Sequence, residues 1–149
     1  MDTIFKEYTF PAPAEMLEDE VRLLLDTHHG RFMSEDYMKK AFGCIDLTSL
    51  NTTDTAPQIR DMCSKVNDFH KLPKHVGIPN VAAVCIYPAL LPVAREALRA
   101  RYVKLASVAA GFPAAQTFHE LKVREIEMAV EYGANEIDIV LSVGKLLEN

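Results

Sequence analysis

Long hydrophobic runs are missing. No stretch approaches 18 uncharged apolar residues, so a membrane-spanning helix is not expected. Cysteine is sparse and odd in number. Cys44, Cys63 and Cys85 stand far apart without a CxxC pair, which argues against a disulfide scaffold and reads as reduced thiols in a cytoplasmic protein. Positive charge is not in excess. Lys and Arg total 16 against 21 acidic residues, a formal charge of -5, so neither a nucleic-acid backbone nor an anionic membrane is an expected partner. The six glycines are scattered, and they form neither a GxGxxG fingerprint nor a P-loop. The opening MDTIFKEYTF carries Asp2 and Glu7 where a signal peptide has basic residues, and no apolar h-region comes after it.

What is present suits one globular domain. Hydrophobic residues make up 49% of the 149, enough to bury a core. Residues 1–13 read as irregular, with Pro11 and Pro13 close together. From Ala14 the apolar residues Leu17, Val21, Leu24 and Leu25, with His28, recur at helical spacing, and Gly30 is the expected stop. Ser34 reads as the N-cap of a short helix that Gly43 ends. Residues 1–41 therefore read as a helical extension, and 42–149 as a second unit.

That second unit alternates strand and helix. CIDLTSL is a strand, and Asp54 is placed to cap a helix whose stripe is Ile59, Met62, Cys63, Val66 and His70. VAAVCIY is a continuous apolar run of the kind found in parallel strands covered on both faces. Pro88 opens a helix bearing Leu90, Ala94, Ala97 and Leu98. VKLASVAAG is the third strand. Thr117 with Glu120 reads as a capping box for a helix burying Val123, Ile126 and Val130, with Gly133 as its stop. EIDIVLS is the fourth strand. Four strands with three intervening helices predict right-handed parallel crossovers.

Two architectures accommodate that rhythm. An open doubly wound sheet lacks support, because the phosphate-binding glycine motifs are absent and only Asp46 stands where a receiver domain needs paired acids. A (β/α)8 barrel needs about 250 residues, so four units are roughly half of one. Half a barrel would leave two bare parallel edges that invite pairing with another chain.

The strand ends carry a resemblance. CIDLTSLNTTDT, PNVAAVCIYP, VKLASVAAGFP and YGANEIDIV, in that order and spacing from about Ala41 onward, resemble the deoxyribose-phosphate aldolase family. The resemblance implies an α/β fold, a (β/α)8 TIM barrel of which this chain supplies the first four units. It implies a class I aldolase of deoxyribonucleotide catabolism, cleaving 2-deoxy-D-ribose 5-phosphate reversibly to acetaldehyde and D-glyceraldehyde 3-phosphate through a lysine Schiff base. It implies a phosphosugar as partner, no metal and no cofactor. By the family pattern Asp138 matches the acid/base aspartate at the end of strand four. Asp46 matches an aspartate of the supporting proton network, and Cys85 a cysteine lining the substrate pocket.

The family's Schiff-base lysine lies on strand six, with its partner lysine on strand seven, and this chain holds neither strand. Lys104 is expected at the bottom of the barrel, and Lys145 matches no Schiff-base motif. After GFP stands Ala114-Ala115-Gln116, where many relatives carry a glycine-bearing loop. The alternative is a truncated, non-catalytic half-barrel that needs self-association or a partner, and a homo-oligomer fits either case. His28 and His29 point about 100° apart on a helix and cannot easily hold one ion. His70, His75 and His119 read as surface or capping groups. Arg95, Arg99, Arg101 and Lys104 read as a solvated face. Cys44 and Cys63 read as core residues.

Overall fold

The computed structural model describes residues 14–148. The irregular stretch expected at 1–13 lies outside them. Two helices come first, α1 (Ala14–Phe32) and α2 (Glu35–Phe42). Then come β1 (Asp46–Ser49), α3 (Ala56–Asp68), β2 (Ala83–Ile86), α4 (Leu91–Ala97), β3 (Lys104–Ala109), α5 (His119–Glu131), β4 (Glu136–Ile139) and α6 (Val143–Glu148). The strands form one sheet in the order β1-β2-β3-β4, and every neighbouring pair is parallel. An unreversed order is what a barrel requires, and a doubly wound sheet would reverse it. The chain therefore folds as part of a β/α barrel. No helix among the described residues is long and apolar enough to cross a membrane.

The core lies between the sheet and its helices. Val84, Ile86 and Leu105 point outward to meet Ile59, Cys63 and Val66 of α3, Leu91 and Ala94 of α4, and Ala129 of α5. Fully covered strands explain why β2 shows no polar alternation. Cys63 is buried here, whereas Cys44 is exposed rather than a core residue.

Several ends differ from the sequence expectation. Helix α1 runs through Gly30 to Phe32. A Cβ at Gly30 would meet nothing within 4 Å, so glycine weakens this helix without stopping it. Phe32 sits edge-on to Tyr37 at 5.0 Å, and that contact favours carrying the helix two residues further. The stripe Leu17, Val21, Leu24 and Leu25 is exposed and does not meet the sheet. Ser34 is at the N-cap position of α2 but makes no side-chain cap bond.

Helix α3 is capped by Thr55, not Asp54. Gln58 Oε1 accepts from the Thr55 N–H at 2.8 Å and from its hydroxyl at 2.8 Å. The α3 stripe ends at Val66. His70 falls in a 3-10 turn, exposed, with Nε2 2.9 Å from the Ile78 carbonyl. Pro88 opens a 3-10 turn, and α4 proper starts at Leu91.

Helix α5 begins from Phe118, whose carbonyl accepts the Lys122 N–H at 3.1 Å. Thr117 therefore lies outside the helix, and its box with Glu120 does not form. Ala129 is the buried residue of α5. Val123 is 42% exposed and Val130 56%, so neither joins the buried core. Gly133 does end the helix. At φ +95° it allows Ala134 N–H to reach Ala129 O at 3.0 Å and Gly133 N–H to reach Val130 O at 2.9 Å.

Candidate active site on the inner face of the sheet

Side chains alternate across a strand, and register decides which residues share a face. Asp46 pairs with Ala83, which pairs with Lys104. One step up, Thr48, Cys85, Ala106 and Glu136 are in register. Above them Val108 is level with Asp138. These residues share the face turned away from the helices. Asp46, Cys85 and Asp138, far apart in sequence, are thereby brought onto one surface.

That surface has a buried apolar middle. Ala83, Cys85, Ala106 and Val108 form a cluster bordered by Leu50, Tyr87 and Phe112, all three from the C-terminal ends of strands. Cys85 is buried, while Asp46 and Asp138 are exposed. Burial pushes the Cys85 thiol above its ordinary range. The charges of Asp138 and Asp46 push the same way, and a hydrogen bond with Thr48 opposes them. A thiol held in that direction stays protonated at neutral pH, which leaves Cys85 unsuited to be a nucleophile.

The opposite end of the face is ionic. Lys104, at the start of β3, forms an ion pair with Glu136. The bond to Glu136, its charge and then the charge of Asp46 hold the Lys104 ammonium above the usual lysine range. A Schiff-base amine must be neutral to attack, so Lys104 is poorly suited to that role.

Two loops at the C-terminal ends of the strands are held by side-chain bonds other than the caps expected from the sequence. After β1, Asp54 Oδ2 accepts from the Ser49 hydroxyl at 2.8 Å and the Asn51 N–H at 3.1 Å, and Oδ1 accepts from Asn51 Nδ2 at 3.1 Å. These bonds, the Ser49 bond foremost, hold the Asp54 carboxyl below the ordinary carboxylate range. A depressed folded-state pKa gives stability that is present above the unfolded value of about 4 and is lost as pH falls through the folded one. The urea midpoint of Asp54→Ala should therefore lie below that of the unsubstituted chain at pH 6, and the gap should narrow at pH 3. After β3, Ala110 and Gly111 both have left-handed backbone, φ 64° and 74°. Glu125 Oε2, on α5, accepts the Gly111 N–H at 2.9 Å.

Among the described residues no group of three His, Cys, Asp or Glu is placed to hold a metal. His75 stacks on Phe69 at 4.1 Å, and its Nδ1 lies 2.7 Å from the Phe69 carbonyl. His28 lies 5.7 Å from the Phe32 ring.

No family model matches the chain. Curated proteins do match it. It is 45% identical over 114 residues to the deoxyribose-phosphate aldolase of Bos taurus and 43% identical over 114 residues to that of Homo sapiens. Each match covers 71% of this chain and 36% of the relative, so the chain spans little more than a third of their length. A Coccidioides immitis structure described as a deoxyribose-phosphate aldolase aligns with TM-score 0.62 and 26% identity, covering 74% of this chain and 39% of that one. A tetrameric deoxyribose phosphate aldolase from Aeropyrum pernix aligns with TM-score 0.56 at 23% identity, over 72% of this chain and 41% of that one, and speaks for the fold alone.

Proposed function

Starting from a chain that belongs to the deoxyribose-phosphate aldolase family and carries four β/α units of its barrel, we propose that residues 42–149 form one wall of a class I aldolase site. The substrate is 2-deoxy-D-ribose 5-phosphate, and the products are acetaldehyde and D-glyceraldehyde 3-phosphate. The observation that carries this reading is the convergence of Asp46, Thr48, Cys85 and Asp138 on one face of the sheet.

In the cleavage step the substrate is held as an iminium ion on a lysine that residues 1–149 do not supply. Asp138, directly or through a water, takes the proton of the hydroxyl next to the bond that breaks. The carbon–carbon electron pair moves into the iminium and leaves an enamine, while the hydroxyl carbon becomes the aldehyde of D-glyceraldehyde 3-phosphate. Protonation of the enamine and hydrolysis then release acetaldehyde and the free amine. Asp46 supports the proton network from below, and Cys85 lines the pocket as a neutral, compact wall. The enzyme works in the cytoplasm as a homo-oligomer, with no metal or cofactor.

A second reading has its own support. Ile139, Leu141, Val143 and Leu147, at and beyond β4, are 56–63% exposed. A half-barrel that functions only when another copy or partner covers this edge fits that exposure.

Borohydride trapping separates the readings. With 2-deoxy-D-ribose 5-phosphate, the natural polypeptide should turn over substrate and carry a reduced adduct on a lysine outside residues 1–149. The 149-residue chain alone should carry none. An adduct on Lys104, Lys122 or Lys145 overturns the assignment. Absence of both turnover and adduct in the natural polypeptide favours the second reading.

A further inference from the structure

The loop between β3 and α5 departs most from relaxed backbone among the inner-face loops. Ala110 takes φ 64° and Ala115 φ 54°, each a left-handed conformation that is strained for a non-glycine residue. Gly111 stands between them at φ 74°, and a Cβ there would fall 2.8 Å from Thr117 Cγ2. Such a conformation persists only where neighbouring groups hold it. The Ala115 N–H closes part of the loop on the Gly111 carbonyl at 2.8 Å. The remaining tie comes from outside the loop: the Glu125 carboxylate, one and a half turns into α5, on the Gly111 N–H.

Gly111 leads directly into the site. Its neighbour Phe112 leaves the loop and packs against the inner cluster that contains Cys85. Lys122, three residues before Glu125 and so on the same side of α5, donates to the Ser142 hydroxyl at 2.6 Å. One face of α5 thus holds the segments after β4, the strand that carries Asp138, and after β3, the strand paired with it.

We propose that Glu125 is a positioning residue: its charge-assisted bond to the Gly111 amide fixes the β3–α5 loop and thereby holds Phe112 over the inner face at Cys85. The acid acts through a main-chain amide and touches no reacting atom. A carboxylate suits the task because hydrogen bonds to charged groups are about twice as strong as neutral ones, and one such bond can offset one strained residue. The aldolase reading supplies what the mouth receives. The contact itself does not depend on it.

The three cysteines provide the test within this chain. Cys44 is exposed, Cys63 is fully buried under α3, and Cys85 is buried on the inner face. Maleimide labelling is followed cysteine by cysteine, by peptide mass spectrometry, in the native chain and in Glu125→Ala and Glu125→Gln. Releasing the loop should raise the Cys85 rate about tenfold or more in Glu125→Ala while Cys63 stays at its native rate. Glu125→Gln keeps an acceptor oxygen but not its charge and should label Cys85 at a rate between those of the native chain and Glu125→Ala. An unchanged Cys85 rate in Glu125→Ala overturns the proposal. So does a parallel rise of Cys63, which would mean general loosening. So does a Gln variant as fast as the Ala variant. Because the readout is thiol access, failure of the aldolase assignment would appear in turnover and not here.

Discussion

Ile86→Ala is expected to lower the stability of this chain by about 2–5 kcal/mol, a large part of the 5–15 kcal/mol typical of a domain. Ile86 has no exposed surface and sits in the outward-facing core with Ile59 of α3 and Leu91 of α4. Deleting three carbons there removes apolar burial and leaves a cavity between packed elements that cannot collapse freely. Ile139, on the same side of the sheet, is 58% exposed. Ile139→Ala should change stability by no more than about 0.5 kcal/mol. Urea denaturation of the two variants measures the contrast directly. Comparable losses would mean that the β4 flank is covered in solution.

For Asp138→Asn, two consequences are expected. In the natural polypeptide, retro-aldol turnover should fall by about two to four orders of magnitude with KM little changed, because the amide cannot take the substrate proton. In this chain alone, the Cys85 thiol should ionise at lower pH than before. The Asp138 charge is one of the influences that raise it, and asparagine removes that charge without removing the burial. The pH dependence of Cys85 alkylation reads this shift with no need for activity. An unmoved thiol would separate Asp138 from Cys85 and dismantle the proposed wall. A moved thiol with intact turnover would leave the wall and remove Asp138 from the chemistry.

The strands were legible because apolar runs bounded by Pro, Gly and Asn leave few alternatives. The continuous run at β2 reports a strand covered on both sides. The isolated Asp138 between Ile137 and Ile139 reports its face through simple alternation. Helix ends were less legible, since neighbouring residues compete for one role. Asp54 and Thr55 are both good caps, and Thr55 takes the position because Asp54 is already engaged by Ser49 and Asn51. Val123 and Val130 fit a helical stripe, but periodicity does not say whether a flank will be covered.

Least legible were side chains that tie distant backbone. Asn67 Oδ1 accepts from the N–H groups of Arg99 at 2.7 Å and Ala100 at 2.9 Å, and its Nδ2 donates to the Ala97 carbonyl at 2.9 Å. Asn80 donates to the Val66 carbonyl at 2.9 Å. Glu125 belongs with them. Each looks like an ordinary polar residue of a helix or connector, and no local spacing marks it. The available signal for Glu125 was indirect: a glycine just past a strand needs a partner for its amide, and the next helix is the nearest source of an acid.

The unreversed strand order also bears on how the chain is assembled during synthesis. Each strand pairs with the strand made just before it, and none must wait for a distant partner. Each pairing nevertheless spans a helical crossover, so it must overcome the closure entropy of that loop and is slower than closing a hairpin. At about 5–20 residues per second, a ribosome delivers each successive unit within seconds, and a strand has that interval to pair before the next one emerges. The sheet can therefore grow one strand at a time as the chain emerges. At every stage the newest strand is one of two exposed edges, the other being β1, so the growing end stays open to aggregation or to capture by a chaperone.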